Sequence, residues 1–209
     1  NKIIKSGKTK RGFEEGTTYM WEVRQELERI KKDGEKFEKM LKALPLDLKY
    51  KNWTLNQITS GYGKRDVIVG SKFHKGLDFN YSGGGDTDIG APVFSTHDGF
   101  VCSLKDDTSG NTGRYLIVRS DNHLFQTRYL HLSKIVVKKD EKIKKGQKIG
   151  ELGASYNGKE KGGDISAHLH YEIMKLEGKK SENIYNQIDP TEGHGKNKDY
   201  LIDPQDWIK

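Results

Sequence analysis

Two histidines stand one residue apart in the stretch ISAHLHYEI, residues 165–173. In a β-strand, residues i and i+2 point to the same face, so this alternating run would present the imidazoles of His168 and His170 side by side. Leu169 and Tyr171 would lie on the opposite face. Imidazoles bind metal ions and transfer protons near neutral pH, but they are also common on half-exposed sheet surfaces. A site therefore requires further candidate groups elsewhere in the chain.

A second pair of candidate ligands lies upstream in FHKGLDF, where His74 and Asp78 form an H-x-x-x-D motif. A neutral imidazole and a carboxylate are both good ligands of Zn²⁺, and a third protein ligand leaves the fourth tetrahedral position open for water. One histidine of the H-x-H pair can complete that set. The H-x-x-x-D motif is weakly specific by itself, but it occurs together with H-x-H and with His131 in a further predicted strand, RYLHLS.

In this order, the motifs resemble those of the lysostaphin-type zinc endopeptidases, which cut peptide cross-links in peptidoglycan. The similarity begins at ITSGYGKR, residues 58–65, ends at LIDPQDWI, residues 201–208, and covers about three quarters of the chain. Between these ends lie FHKGLDF, GAPVFSTHDGFV, RYLHLS, IKKGQKIGELG and AHLHYEI. Several motifs in one order are far more specific than any single motif.

The resemblance implies roles for five residues. His74, Asp78 and His170 are expected to bind Zn²⁺, one ion per chain, and His131 and His168 are expected to stand beside the metal as catalytic histidines. A zinc ion with three protein ligands lowers the pKa of water toward about 7 and polarises a carbonyl. A neutral histidine is suited to accept the proton of that water and to pass it to the leaving amine. Which of the two histidines acts as the base stays open.

The remaining candidate residues have simpler interpretations. Arg65, in the family motif GYGKR, is expected either to bind substrate carboxylates or to brace a loop. His97 is expected at a strand end near a turn. His123 and His194 are expected to be solvated, the first in a hairpin turn and the second in the polar C-terminal tail. Cys102 is expected to be a small core residue, and as the single cysteine it forms no internal disulfide.

Two regions of the chain differ in the period of their apolar residues. Before Pro45, apolar residues recur at three- and four-residue steps with a break at Asp33-Gly34, which predicts an N-terminal α-helical segment, residues 1–50. This segment is a candidate surface for a protein partner or for self-association. Short β-branched and aromatic runs then predict a β-rich domain, residues 51–209. The resemblance implies a mainly β fold here, a twisted antiparallel β-sheet whose groove holds the metal.

Turn-forming residues predict the loops of this domain. The segments YSGGGDTDIGAP, residues 81–92, and GASYNGKEKGGDIS, residues 153–166, are rich in Gly, Asn and Asp and lie close to the histidine-bearing stretches. We expect both to form walls of the groove. A third turn, SDNH, separates the runs YLIVR and LFQTRYL and predicts a β-hairpin.

Composition excludes several classes of protein. The mean hydropathy is −0.86, and no apolar run approaches the roughly 20 residues that a membrane-spanning helix needs, so no membrane span is expected. The net charge of +7 is spread along the chain. The whole chain has 37 basic and 30 acidic side chains, of which residues 1–50 carry 13 and 9. Without a concentrated basic stripe, a nucleic-acid-binding or nuclease domain is disfavoured.

These observations predict a zinc-dependent endopeptidase that hydrolyses the peptide cross-links of bacterial peptidoglycan. The alternative is a non-catalytic wall-binding or activator module for another peptidoglycan hydrolase, in which the helical segment contacts the partner. The substrate implies export to the periplasm, the cell surface or the extracellular space, although no signal peptide is visible in the sequence. The type of cross-link that is cut, and any occlusion of the groove by the helical segment, stay open.

Overall fold

The computed structural model describes residues 44–66, 71–123, 125–175 and 201–202, all within one compact unit, Met40–Lys209. The predicted helical segment lies almost entirely outside these residues, so its helices, its role as a partner surface and the domain boundary at residue 50 stay predictions. Within residues 44–50, Lys49–Tyr50 form a strand. Leu46 is buried and forms an isolated bridge to Val93.

The described residues form antiparallel β-structure without any α-helix, which confirms the mainly β fold class. Among them, no helix combines the length and apolar composition that crossing a membrane requires. The strands are β1 (Lys49–Tyr50), β2 (Trp53–Ser60), β3 (Gly63–Lys64), β4 (Phe73–His74), β5 (Leu77–Tyr81), β6 (Pro92–Phe94), β7 (Gly99–Lys105), β8 (Tyr115–Ser120), β9 (Phe125–Leu130), β10 (Lys134–Ile135), β11 (Lys142–Ile143), β12 (Lys148–Glu151), β13 (Leu169–Lys175) and β14 (Leu201–Ile202).

One large sheet carries most of these strands, in the order β1-β2-β5-β13-β9-β8-β7-β11, with β14 also paired to β13. Two smaller sheets accompany it within the described residues, β10-β12-β6 and β3-β4. The β8–β9 pair is the predicted hairpin, with its turn after Ser120. All of the pairings are antiparallel. Strand β13 lies between β5 and β9, two strands that are distant from it in sequence.

The core is built by the alternation of side chains along the central strands. On β13, Leu169, Tyr171 and Ile173 are fully buried on one face, which confirms the predicted orientation of the first two. His170 and Glu172 alternate with these residues and therefore point to the other face. On β5, the buried Leu77 and its i+2 neighbours alternate with the residues on the opposite face in the same way. The fold thus separates an apolar face from a face that carries the ionisable side chains.

Strand register then brings these ionisable side chains together. His170 on β13 lies directly opposite Asp78 on β5, and Asp78 in turn lies opposite Ser60 on β2. On its other side, His170 lies opposite Leu130, the last residue of β9. Directly opposed residues of antiparallel strands have Cβ atoms about 4.5–5.5 Å apart. The centre of the sheet therefore sets the positions of the candidate site.

Candidate metal centre

Three side chains converge on one point of the sheet. Nε2 of His74 lies 3.1 Å from Oδ1 of Asp78 and 3.0 Å from Nδ1 of His170, and Oδ1 of Asp78 lies 2.8 Å from Nδ1 of His170. Zinc bonds of about 2.0 Å in a tetrahedral site place neighbouring ligand atoms about 3.3 Å apart. The two imidazoles and the carboxylate thus fit a metal ion in both chemistry and spacing.

Hydrogen bonds on the far side of each imidazole determine which nitrogen can bind a metal. Nδ1 of His74 lies 2.7 Å from the carbonyl oxygen of Gly61, which can only accept, so Nδ1 keeps its proton and Nε2 is the nitrogen that can bind a metal. Nε2 of His170 lies 3.1 Å from Oε1 of Glu172 and keeps its proton for the same reason, so Nδ1 is the nitrogen of this ring that can bind a metal. Partners of this kind fix the tautomer and orientation of metal-binding histidines.

Charge interactions within the cluster shift two pKa values in opposite directions. Burial raises the pKa of Asp78, but hydrogen bonds with His170 and His74 outweigh burial and hold the pKa well below its usual range. Burial lowers the pKa of His170, but hydrogen bonds to Asp78 and Glu172 outweigh it and raise the pKa to about 9. The site therefore has an ionised carboxylate at its centre. Metal binding has to displace a proton from His170.

The two predicted catalytic histidines line the groove beside this cluster, although neither lies within a strand. The prediction that His131 belongs to a strand is wrong by one residue, because β9 ends at Leu130. His131 has a left-handed φ of 63°, and its N–H donates to the carbonyl of Thr112 instead of continuing the strand pairing. His168 precedes β13 and forms an isolated bridge to Gly153. The ring centroids of His131 and His168 are 4.8 Å apart.

Backbone carbonyls of one loop hold both of these rings. Nδ1 of His131 lies 3.1 Å from the carbonyl oxygen of Ser155, and Nδ1 of His168 lies 2.7 Å from that of Ser166. Because a carbonyl oxygen only accepts, each Nδ1 carries the proton and each Nε2 is left able to accept one. Nε2 of His168 lies 3.7 Å from Oδ1 of Asp78, next to the candidate metal position.

Both of these histidines are neutral at neutral pH. Burial lowers the pKa of His131 to about 3, and the neighbouring charges of His168 and His170 act in the same direction. Burial also lowers the pKa of His168, despite the opposing effect of Asp78. A neutral imidazole with a lone pair on Nε2 is the form that can act as a general base.

The groove around these residues has a volume of about 430 Å³. The expectation that both Gly-rich loops form its walls is correct for residues 153–166, from which Tyr156, Asp164 and Ile165 line the groove. It is wrong for residues 81–92, none of which lines it. That loop has a supporting position instead, because Oδ1 of Asp86 accepts a hydrogen bond of 3.0 Å from the backbone N–H of Ala167, next to His168.

A bidentate ion pair attaches the wall loop to the sheet. The two terminal nitrogens of Arg114 lie 2.9 Å from the two carboxylate oxygens of Glu160. Arg114 also donates to the carbonyls of Leu132 and Ser133, the two residues that follow His131. One guanidinium therefore connects the wall loop to the chain segment that carries a candidate catalytic histidine.

Arg65 lies in the groove wall and is also engaged in local structure. Its Nε donates to the carbonyl of Ser71 over 3.3 Å, and its Nη1 donates to Oγ of Ser60 over 3.2 Å. That hydroxyl lies 3.2 Å from Nδ1 of His74. These contacts agree with the bracing role, while the predicted contact with substrate stays a prediction.

The other histidines and the cysteine lie away from the cluster. His97 is fully buried, with Nε2 2.9 Å from Oγ1 of Thr127 and Nδ1 2.8 Å from the carbonyl oxygen of Asp98. His123 lies in the predicted hairpin turn, where it is partly exposed and packs beside the ring of Phe100. Cys102 is also partly buried, against a cluster of core residues. His194 lies outside the described residues.

Sequence reasoning missed several residues that support the site. Glu172 follows His170 by two positions, so the same alternation that paired the histidines could have identified it. Arg128, which forms an ion pair with Glu172, and Ser155, whose carbonyl holds His131, are not marked by any local pattern. Their roles depend on strand pairing and loop position. A single sequence does not reveal these contacts.

Comparison with known proteins agrees with this architecture. The family model of peptidase family M23 matches residues 72–186, more than half of the chain. Peptidoglycan DD-endopeptidase ShyB from Vibrio cholerae serotype O1 is 38% identical over 144 residues, which are 68% of this chain and 29% of ShyB. The chain thus spans less than a third of the length of this relative.

Two solved structures are similar to the described fold. The crystal structure of a zinc-containing peptidase from Vibrio cholerae is 31% identical with a TM-score of 0.51, and the alignment covers 79% of this chain and 38% of that one. The catalytic domain of lysostaphin from Staphylococcus simulans is 22% identical with a TM-score of 0.52. This alignment covers 73% of this chain and 91% of the lysostaphin domain. The second likeness concerns the fold alone.

The resemblance predicted from the motifs is confirmed, and the three predicted ligands form a cluster that could hold a metal ion. The family match begins at Lys72, two residues before His74, and includes all five predicted metal-binding and catalytic residues, whereas Arg65 precedes it. Motif order, sheet architecture and ligand cluster agree, and the chain belongs to peptidase family M23.

Proposed function

We propose that this chain is a zinc-dependent endopeptidase that hydrolyses peptide cross-links of bacterial peptidoglycan. One observation carries the proposal. The cluster of His74, Asp78 and His170 brings two imidazole nitrogens and a carboxylate to one point, and two neutral histidines stand beside it in an open groove. Family membership and the name of the relative ShyB support the reaction and the substrate.

His74, Asp78 and His170 would hold the zinc ion, through Nε2, Oδ1 and Nδ1 respectively. When bound, zinc supplies Lewis acidity, which polarises the scissile carbonyl and lowers the pKa of water toward about 7. The ionised Asp78 offsets part of the positive charge of the metal. Three protein ligands leave one tetrahedral position for the reacting groups.

His131 and His168 would carry the proton. Nε2 of either ring can accept the proton from the attacking water and then donate it to the nitrogen of the leaving amine as the C–N bond breaks. The carbonyls of Ser155 and Ser166 hold the two rings in the tautomer that begins this cycle. They also stabilise the imidazolium that forms, because each accepts from the Nδ1–H throughout.

The groove would bind an extended peptide between its walls. Tyr156 and Ile165 offer apolar surface on one wall, and Arg65 offers a guanidinium for a substrate carboxylate. The DD-endopeptidase name of ShyB, at 38% identity, favours cross-links between D-amino acid centres as the substrate. Such a substrate lies outside the cytoplasm, so the protein would act in the periplasm, at the cell surface or outside the cell.

The proposal is tested by mass spectrometry of fragments released from purified peptidoglycan with direct or glycine-bridged cross-links. Zinc-loaded protein should release peptides cut at the cross-link, while chelated protein and His168→Ala should release none. The matched control is His123→Ala, because His123 does not line the groove and its loss should leave release unchanged. Absence of release by protein that contains zinc would overturn the proposal and favour a non-catalytic wall-binding or activator module.

A further inference from the structure

A buried ion pair lies beside the metal cluster, on the same face of the sheet as His170. Arg128 on β9 and Glu172 on β13 are cross-strand partners, and Nη1 of Arg128 lies 3.1 Å from Oε2 of Glu172. Each side chain is only 1% exposed. The second carboxylate oxygen, Oε1, lies 3.1 Å from Nε2 of His170. A single carboxylate therefore connects a buried guanidinium to the imidazole of a candidate metal ligand.

Stability alone does not account for this pair. Removing two charges from water is costly, and well-packed apolar residues in place of a buried ion pair are often as stable or more stable. An apolar pair could not form the hydrogen bond that Glu172 accepts from His170.

The contact decides which nitrogen of His170 faces the metal position. A carboxylate only accepts hydrogen bonds, so Oε1 of Glu172 requires the proton of His170 to be on Nε2. Nδ1 is then the nitrogen that can release its proton and present a lone pair to a metal between Asp78 and His74. Carboxylate partners of metal-bound histidines also raise the basicity of the ligand, which a backbone carbonyl does less strongly.

Arg128 fixes the direction in which Glu172 points. With Oε2 held by the guanidinium, Oε1 is turned toward His170. The segment that carries the other two ligands also passes close by, since a Cβ on Gly76 would lie 2.2 Å from the carbonyl oxygen of Tyr171 and 3.0 Å from Cγ of Glu172. The carboxylate is thus confined on several sides.

We propose that Glu172 and Arg128 are positioning residues that hold His170 in its metal-binding tautomer and orientation, and that they thereby set the affinity of the site for zinc. The inference rests on the proposed zinc site, but it does not depend on the substrate or on catalysis. It assigns a function to a buried ion pair that the hydrolytic mechanism itself leaves unused.

The test compares zinc affinities of variants that keep the shape of the side chain. Glu172→Gln has one acceptor oxygen, which Arg128 attracts, so its amide N–H₂ turns toward His170 and favours the tautomer with the proton on Nδ1. We expect zinc affinity to fall about 10–100-fold. Affinity is measured by competition with a chromophoric chelator, and the visible spectrum of the Co²⁺-substituted protein reports the ligand geometry.

A double variant separates positioning from a general structural role. In Glu172→Gln combined with Arg128→Met, no guanidinium competes for the amide oxygen, so the glutamine can rotate and accept from Nε2 of His170. Zinc affinity should then recover toward that of the unmodified protein. Arg119→Met, at another buried arginine that does not line the groove, is the matched control and should leave affinity unchanged.

Two results would overturn the inference. Zinc binding by Glu172→Gln as tight as in the unmodified protein would show that the contact is dispensable. A double variant that binds zinc no better than Glu172→Gln, with both metal-free proteins folded by circular dichroism, would leave only a structural role. Failure of the proposed function looks different, because the unmodified protein would then bind zinc and release no peptide from peptidoglycan.

Discussion

Asp78 and His170 face each other directly across two antiparallel strands, with Oδ1 of the carboxylate 2.8 Å from Nδ1 of the imidazole. They are 92 positions apart in the sequence. Their contact is set by the register of β5 and β13, which a packed core on the opposite face fixes, because a slip of one residue would turn every side chain to the wrong face. The candidate metal site is therefore held by the rigid centre of the sheet.

Metal content distinguishes the ligands from the proposed catalytic residues. Asp78→Asn removes the central negative charge, so the purified variant should contain much less than one zinc per chain after dialysis. His131→Ala should keep its zinc, because His131 is not part of the three-ligand cluster, yet it should lose peptidase activity. Elemental analysis of both variants checks the expectation. Equal zinc in Asp78→Asn and the unmodified protein would contradict the ligand assignment.

The backbone carbonyl of Ser155 is expected to matter for catalysis. Gly113 has a φ of 55°, and a Cβ at this position would lie 1.9 Å from that carbonyl oxygen. Gly113→Ala should displace the acceptor that holds His131 and lower kcat at least ten-fold with zinc content unchanged. Steady-state kinetics and elemental analysis of the same preparation test both parts.

A second glycine separates this effect from backbone strain. Gly85 has a nearly equal φ of 58°, and a Cβ there would meet nothing within 4 Å. Gly85→Ala should therefore cost about 1 kcal/mol of stability from the left-handed conformation and leave kcat unchanged. Similar losses of kcat in the two variants would contradict the role of the Ser155 carbonyl.

The ion pair between Arg114 and Glu160 is expected to affect substrate binding. Glu160 is largely exposed, and exposed pairs contribute about 1 kcal/mol or less to folding. Glu160→Gln frees the wall loop, so we expect KM for a cross-linked peptide to rise about five-fold, which corresponds to about 1 kcal/mol of lost binding. Kinetics with a purified cross-linked peptide measure this change.

The control for the wall loop is Glu151→Gln. Glu151 also forms a surface ion pair, with Nζ of Lys148 at 2.8 Å, but it does not line the groove. We expect KM to stay unchanged in this variant. An equal increase in both variants would mean that general surface charge, rather than the wall loop, controls KM.

His97 should make the stability of the domain dependent on pH. Burial lowers its pKa to about 4 in the folded state, below the ordinary value of 6.5, so the unfolded chain binds more protons between these two values. The contribution of the neutral His97 ring to the free energy of unfolding is fully present above pH 6.5 and is lost as pH falls toward 4. The loss should reach about 3 kcal/mol at most.

Urea unfolding of the metal-free protein at about pH 7 and about pH 4.5 measures this loss. His97→Gln cannot titrate, so its free energy of unfolding should change less between the two pH values than that of the unmodified protein. His123→Gln, at the partly exposed histidine of the hairpin turn, should retain the full change. If His97→Gln and the unmodified protein lose the same stability, another group must be responsible.

Much of the fold could be predicted from local pattern. The β8–β9 hairpin follows from two alternating runs around a turn, and the alternation in β13 placed Leu169 and Tyr171 in the core opposite His170. Strand ends were less certain, as His131 shows. Its left-handed backbone is stabilised by Thr112 and Ser155, which are distant in sequence, and a local pattern carries no information about such contacts.

The sequence by itself determined the residue types of the candidate site and, for His170, the face of the strand on which the side chain lies. These depend on side-chain chemistry and on the two-residue period of a strand, which are properties of neighbours in the chain. Tertiary structure alone decided that Asp78 faces His170, that one loop holds both neutral histidines, and that Arg128 orients Glu172. These contacts arise from strand register and loop closure across long separations, where the gain of burying one face selects a single pairing.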